Sequence, residues 1–498
     1  MWVEHTRIFV NFALIKIFAE MRYSYIKIAT AVAVFVCYMI ALLTLQDHVI
    51  YYQEQHSLFL YTAAYFHDTV HSQGPLGYLG AFMTQFYYYP WLGAFIVSLL
   101  ACAIYWLTET IIFRITGCRD FLQLGVAAAT ALYFTLDDID ESPVWILLAA
   151  FSLWFIWMLL LICLKPRKNT KYNNLLTLPQ FIISVVLAAG YLTGGYFIEA
   201  IHINKAERYM IRAERAIKQK NWDEAIDITS RYLATGRTNK LMLYLRSYAL
   251  AQKGELIDHL FDYPQKAGQQ ALAFPWTSNS REAEYGHLVH QATGDINAAH
   301  EWAFEAMTVW GETAPHLTNL ALYNVALGRP KVAEKFARKL DKSLFYKGEA
   351  KKIRRMIAGE EPVEIYYAQP DSISTKWINV QDFRPNLMQN YLANPDNEIT
   401  RQYLIASMLL GNNLKTLIPI LKTEDLKHDI IKEAVLIYSL YPTYEPLSDF
   451  GLTVDDFTGV KFTDFYKMLK RSPPEIFADK YGKSYWYYKH VINPHDNQ

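Results

Sequence analysis

Between residues 28 and 200 the chain carries repeated apolar runs about as long as a bilayer is thick, and this restricts the fold more than any other feature. A helix of about 20 apolar residues crosses the hydrocarbon core, and every backbone polar group inside it must be satisfied within the helix. The first run, "IATAVAVFVCYMIALLTL" (28–45), follows Arg22 and Lys27 and has no small-residue cleavage site after it. It reads as an uncleaved span rather than a signal segment. Further spans are expected at 91–113, 121–136, 144–164 and 178–200, the third being the shortest at 16 residues. Residues 1–21 read as an amphipathic surface segment or as a mis-started leader, with Met21 the first native residue.

The segment "GYLGAFMTQFYYYP" (77–90) stops at Pro90 and is expected to lie half-inserted, with Tyr87, Tyr88 and Tyr89 at headgroup level. Lys and Arg fix an orientation. They cluster before the first span, at Arg114 and Arg119, and in "KPRKNTK" (165–171), whereas 46–78 and "DDIDES" (137–142) contain none. The alternation places the N-terminus in the cytoplasm and, after five crossings of the cytoplasmic membrane, residues 201–498 outside. Glu109, the acidic residue inside a span, is expected to pair with Arg114 or to snorkel. Gly190, Gly194 and Gly195 give the last span a close-packing face.

Residues 201–498 have an ordinary water-soluble composition, with 38 Lys and Arg against 36 Asp and Glu, so no basic surface for nucleic acid is expected. All four cysteines, Cys37, Cys102, Cys118 and Cys163, precede this region, which therefore has neither disulfides nor thiolate metal sites. Turn positions recur in it. Lys220 and Gly254 are 34 residues apart, as are Gly294 and Gly328, and Ala225, Ala299 and Ala333 each lie five residues after a turn. A 34-residue period with a small residue in the second helix resembles the tetratricopeptide repeat, over residues 201–345. The resemblance implies an α-solenoid that grips a protein or peptide on its concave face. Residues 346–394, with Pro362, Pro370 and Pro385, read as a connector. Residues 395–498 read as a helical region closed by the aromatic cap "YGKSYWYYKH". The fold class is all-α: a five-span transmembrane bundle (22–200) followed by a helical-repeat domain.

Chemistry is sparser. His67 and His71 in "HDTVH" share a helical face and are candidate metal ligands, while Glu54 and Asp68 are candidate catalytic carboxylates. The alternative is that these polar groups simply occupy an interface. The acidic outward loops and "GPLGYLGAF…YYYPWLGAF" are similar to an incomplete core of a membrane glycosyltransferase that uses lipid-linked sugars. That likeness implies a glycan- or lipid-handling enzyme acting through outward carboxylates. His287, His290 and His300 lie on repeat helices, where helix contact is the ordinary role. No motif for a cofactor is present. The expected partners are the lipid bilayer and a protein or peptide bound by the repeats. Taken from "GPLGYLGAFMTQFYYYPWLG" through "FPWTSNSREAEYGHLVHQATGDINAAHEWAFEAM" to the closing "YGKSYWYYKH", the layout resembles an uncharacterised family of bacterial polytopic membrane proteins with a repeat-like C-terminal domain.

Overall fold

The computed structural model describes residues 23–133, 139–140, 142–164, 177–363 and 383–493. Every regular element among them is helical, and the chain divides into two units. The first comprises residues 1–205 together with 341–347, and the second residues 206–340 and 348–498. The N-terminal segment 1–21 and the basic loop 165–171 lie outside the described residues.

In the first unit, α1 (Tyr23–Thr44), α2 (Asp47–Gln55), α3 (Ala63–Thr84), α4 (Pro90–Thr116), α5 (Leu124–Tyr133), α6 (Val144–Cys163) and α7 (Leu178–His202) follow one another. Four of these, α1, α4, α6 and α7, are long and apolar enough to cross a membrane. Their outer faces carry side chains that water would not tolerate together: Phe151, Ile162, Val186 and Phe197 are all more than half exposed.

Of the segment 121–136, expected to be a span, the described residues hold a helix over Leu124–Tyr133. Its start is delayed locally. Gln123 takes a left-handed conformation (φ 55°), and the Asp120 carboxylate accepts from the amides of Leu124 (3.0 Å) and Gly125 (2.9 Å). Asp120, Ala129 and Ile139 touch α1 and α2 in ascending order. The Tyr23 hydroxyl donates to the Asp120 carbonyl (3.2 Å), that of Tyr38 to Ala129, and the Gln53 amide to Ile139 (3.3 Å). Arg114 at the end of α4 donates to the carbonyl of Leu164, just past the end of α6, so α4 and α6 run parallel.

Glu109 is almost fully buried but does not pair with Arg114. The two lie five positions apart, about 140° round the helix. Lys27 of α1 and Arg119 (3.3 Å) bind the Glu109 carboxylate instead, and Lys27 also sits 3.9 Å over the Trp106 ring. At the other end Gln46 donates to Glu199 (3.1 Å), and both are buried. Of the glycines on α7, a Cβ on Gly195 would strike Thr130 at 2.3 Å, whereas Gly190 and Gly194 face open space. Gly195 therefore packs inside the bundle.

The second unit contains α8 (Lys205–Lys218), α9 (Trp222–Leu233), α10 (Lys240–Lys253), α11 (Ser280–Tyr285), α12 (His287–Thr293), α13 (Ile296–Trp310), α14 (Ala314–Ala326), α15 (Pro330–Leu340), α16 (Lys347–Ile357), α17 (Phe383–Ala393), α18 (Glu398–Leu410), α19 (Asp429–Ser439), α20 (Asp456–Arg471) and α21 (Pro474–Tyr481). The four turn positions have one geometry. Lys220, Gly254, Gly294 and Gly328 all have φ between 56° and 86°, and each ends a helix with paired backbone bonds to the preceding turn. Ala225, Ala299 and Ala333 are fully buried, letting successive helices approach closely.

Among its described residues the stretch 346–394 holds two helices, α16 and α17. Ala350, Ile353 and Met356 give α16 a narrow buried stripe among many charges, and Pro385 of α17 falls in a first turn, where its missing N–H costs little. α18 is buried along nearly its whole length because it finishes the turns of earlier helices. Gln402 accepts from the Leu256 amide (3.1 Å) and donates to the Ala251 carbonyl (3.3 Å), while Asn397 and Thr400 donate to the carbonyls of Ala292 and Thr293. The Ala292 and Thr293 carbonyls close α12 and would otherwise be orphaned, whereas that of Ala251 at the end of α10 also accepts from the Gly254 amide (3.2 Å).

Tyr485, Trp486 and Tyr488 of the C-terminal cap pack inward with their polar atoms satisfied. Tyr488 donates to the Leu410 carbonyl (2.6 Å), Tyr485 to Asn412 (3.0 Å) and the Trp486 indole to the Glu433 carbonyl (3.1 Å). The Glu433 carboxylate accepts from the Tyr485 amide (2.7 Å), and burial pushes its pKa up to about 7. A carboxyl raised in the folded state supports folding below about pH 4.5 and loses that support as pH rises through about 7. Glu433→Gln keeps the acceptor and removes the charge. It is expected to raise stability by about 1–3 kcal/mol at pH 8 and to leave it unchanged at pH 4.5, as denaturant unfolding at the two pH values would read.

Candidate functional site

The polar residues singled out in the sequence gather at the Thr44 end of the first unit, but not in one place. α2 begins two residues after α1 and buries His48, Val49, Ile50, Tyr52 and Gln53, which leaves Glu54 on its partly open side. His56 closes the helix, its ring tilted 31° against Tyr52 with centroids 4.0 Å apart and its Nδ1 2.9 Å from the Tyr52 carbonyl. α3 starts at a Thr62 cap, whose hydroxyl accepts from the Tyr65 amide, and it breaks at Gly74. There φ is 76°, open to glycine, and Pro75 restarts the helix.

His67 and His71 lie one turn apart on the first limb of α3, rings nearly parallel with centroids 6.3 Å apart. Their helical register is the one metal ligation needs. Asp68, its side chain about 80 % exposed, approaches the His67 ring at 3.5 Å. Among the described residues no three His, Cys, Asp or Glu side chains converge tightly enough to hold a metal. Of the other outward carboxylates, Asp137, Asp138 and Glu141 lie outside the described residues.

Glu54 has a different setting. It lines a small recess with Ser57, Phe59, Thr84, Gln85 and the segment 343–346, which Asp68, His67 and His71 do not enter. The Tyr346 hydroxyl donates to Glu54 Oε1, Gln55 donates to its other oxygen (2.5 Å), and the hydroxyls of Ser57 and Thr84 lie 2.7 Å apart. The segment is held by aromatic contact. Phe345 stacks face to face on Tyr88 (5.2 Å, 5°) and meets Tyr89 edge-on (5.6 Å), while Tyr346 meets Tyr88 edge-on (5.1 Å). The Tyr61 amide donates to the Lys342 carbonyl (2.9 Å). Of the three tyrosines expected at headgroup level, Tyr87 is buried instead, its ring filling the space beside Gly93, where a Cβ would lie 2.0 Å from it. Phe345 and Tyr346 carry no local signal, since Tyr346 stands 292 residues from the carboxylate it reaches.

In the second unit the histidines are structural in geometry. The Tyr323 hydroxyl donates to Gln291 (2.8 Å) and so accepts from His287 Nδ1 (2.6 Å), leaving Nε2 to accept from the Asn319 amide (3.3 Å). Both ring nitrogens are satisfied in one neutral tautomer. Burial, then the charges of Lys218 and His316, hold the His287 pKa down at about 3, and burial also lowers that of His290. Nearby, Arg281 clamps Glu214 with two 3.0 Å bonds, and Lys218 and Lys240 pair with Glu284 and Glu282.

Set against known proteins, residues 22–203 and 143–492 match a family described as a family of unknown function (DUF6057). No curated protein and no solved structure matches the chain.

Proposed function

The chain belongs to this family of unknown function, DUF6057, and from that premise we propose that it is a five-span anchor of the cytoplasmic membrane presenting a helical-repeat domain outside for protein or peptide binding. The observation that carries the reading is the shared left-handed turn at Lys220, Gly254, Gly294 and Gly328 with buried alanines behind it. Stacked helix pairs of this kind present an extended surface built from many repeats. The parallel course of α4 and α6 supports a fifth crossing, because the chain must return between them through residues 117–143. The basic flanks then favour an external end for α7. Reporter fusions after His202 are expected to be active outside the membrane; activity only inside would remove the external assignment. For the binding role, photo-crosslinkers placed on the full chain in its own membrane should trap one recurrent partner, and failure at every repeat position would count against it.

A second reading, a glycan- or lipid-handling enzyme, rests on the Glu54 recess with its tyrosine and paired hydroxyls. In that reading Glu54→Gln alters envelope glycans or lipids while protein level stays constant, and unchanged envelope composition would sink it. Asp68 is too exposed on α3 to serve the same recess.

A further inference from the structure

We propose that the recess around Glu54 is a binding site for a small organic cation, an ammonium head group, held closed by residues 341–347 acting as a strap. The inference stands whether or not the repeat domain has a partner. The lining combines one carboxylate with the aromatic rings of Phe59, Phe345 and Tyr346 and with the neutral polar groups of Ser57, Thr84 and Gln85, and it contains no Lys or Arg. A carboxylate beside aromatic faces suits an alkylated ammonium and repels anions. The free space is about 10 Å³, enough for about one water, so any such ligand requires the strap to lift.

What holds the strap is local and exchangeable. Its anchors include the Phe345–Tyr88 stack, the edge-on contacts of Phe345 and Tyr346 with Tyr89 and Tyr88, the Tyr61–Lys342 backbone bond and the Tyr346 hydroxyl on Glu54. The hydroxyl occupies the position on the carboxylate that an ammonium N–H or methyl edge would take. Ligand entry is therefore an exchange: Tyr346 leaves Glu54, the cation replaces it, and Phe345 unstacks from Tyr88. The strap runs directly into α15 and α16 at its two ends, so it swings as a short loop without leaving the protein.

The test uses the full chain in nanodiscs with Ser57→Cys. Labelling of residue 57 is followed by peptide mass spectrometry with two methanethiosulfonate reagents, one bearing trimethylammonium and one bearing sulfonate. With the native strap both reagents react slowly, and Phe345→Ala speeds both by about ten-fold. Once the strap is released, the cationic reagent, each rate taken relative to that on a free thiol, leads the anionic one by about 25-fold, the product of a ~5-fold attraction and a ~5-fold repulsion for unit charges ~4 Å apart in water, and Glu54→Gln abolishes that lead. Tyr346→Phe, which removes only the hydroxyl, raises labelling without disturbing the aromatic stack and covers the case in which Phe345→Ala misfolds. Equal labelling with and without these strap substitutions would show that nothing is closed there. A charge preference that is absent, or that persists in Glu54→Gln, would overturn the cation assignment.

Discussion

Arg401→Met is expected to lower the stability of the second unit by about 3–5 kcal/mol, the cost of removing one partner from a buried ion pair. Arg401 and Asp425 bind side chain to side chain, each about 6–7 % exposed, and Asp425 also accepts from the Lys422 amide (2.7 Å). Methionine matches the length of the arginine stem but leaves the carboxylate with a single backbone donor. Arg401 lies on α18, the helix that finishes the turns of α10 and α12, so the damage should not stay local. Hydrogen exchange across 240–260 and 287–295 is expected to accelerate along with exchange in α18 itself. Asp425→Asn in the Arg401→Met background keeps the acceptor for Lys422 while removing the stranded charge. It should restore most of the loss, giving a coupling of about 2 kcal/mol or more in a double-mutant cycle. A cycle that sums to zero would mean the pair is incidental to the packing of α18.

The limits of the sequence reading follow from the range over which each interaction acts. The long apolar helices were legible because a bilayer sets their length and excludes charge, and the expected spans at 28–45, 91–113, 144–164 and 178–200 agree with α1, α4, α6 and α7 to within a few residues. Residues 121–136 are equally apolar, yet capping by Asp120 and the left-handed Gln123 set the start of the helix at Leu124, which hydropathy does not register. Glycines marked three of the repeat turns because glycine reaches positive φ without strain. Asn412 makes the same turn with no glycine in that position, as Lys220 does, and it was hidden beside Gly411. The recess at Glu54 was half legible. A carboxylate after the first span is visible in the sequence, but its strap comes from residues 341–347, and only the folded chain brings Tyr346 to it. The same holds for α18, whose polar side chains look like solvent residues until they meet carbonyls a hundred or more positions away.

Acidification gives the other large effect, and its sign follows from His287. Its pKa falls from about 6.5 in the unfolded chain to about 3 in the folded one, because burial and the nearby Lys218 and His316 charges disfavour the imidazolium and Glu284 only partly offsets them. A base depressed in the folded state lends stability above pH 6.5 and loses it as pH falls towards 3, since the unfolded chain takes up a proton that the folded one refuses. The slope is about 1.4 kcal/mol per pH unit, so His287 alone accounts for a loss on the order of 4 kcal/mol across that window. His290, also lowered by burial, steepens the fall, whereas Glu433 acts in the opposite direction between about pH 4.5 and 7. The second unit should therefore be less stable at pH 4 than at pH 6.5, with Glu433→Gln making the loss steeper and His287→Asn making it shallower. The His287→Asn protein will be weaker at neutral pH, because Asn is too short to bridge Tyr323 and Asn319, so the pH slope rather than absolute stability is the diagnostic quantity. Denaturant unfolding of the full chain at pH 7.5, 6, 5 and 4, with hydrogen exchange reporting on 287–326, measures it directly. An unchanged slope in His287→Asn would mean that His287 titrates freely in the folded protein and that the Tyr323–His287–Asn319 chain of hydrogen bonds does not hold the neutral ring.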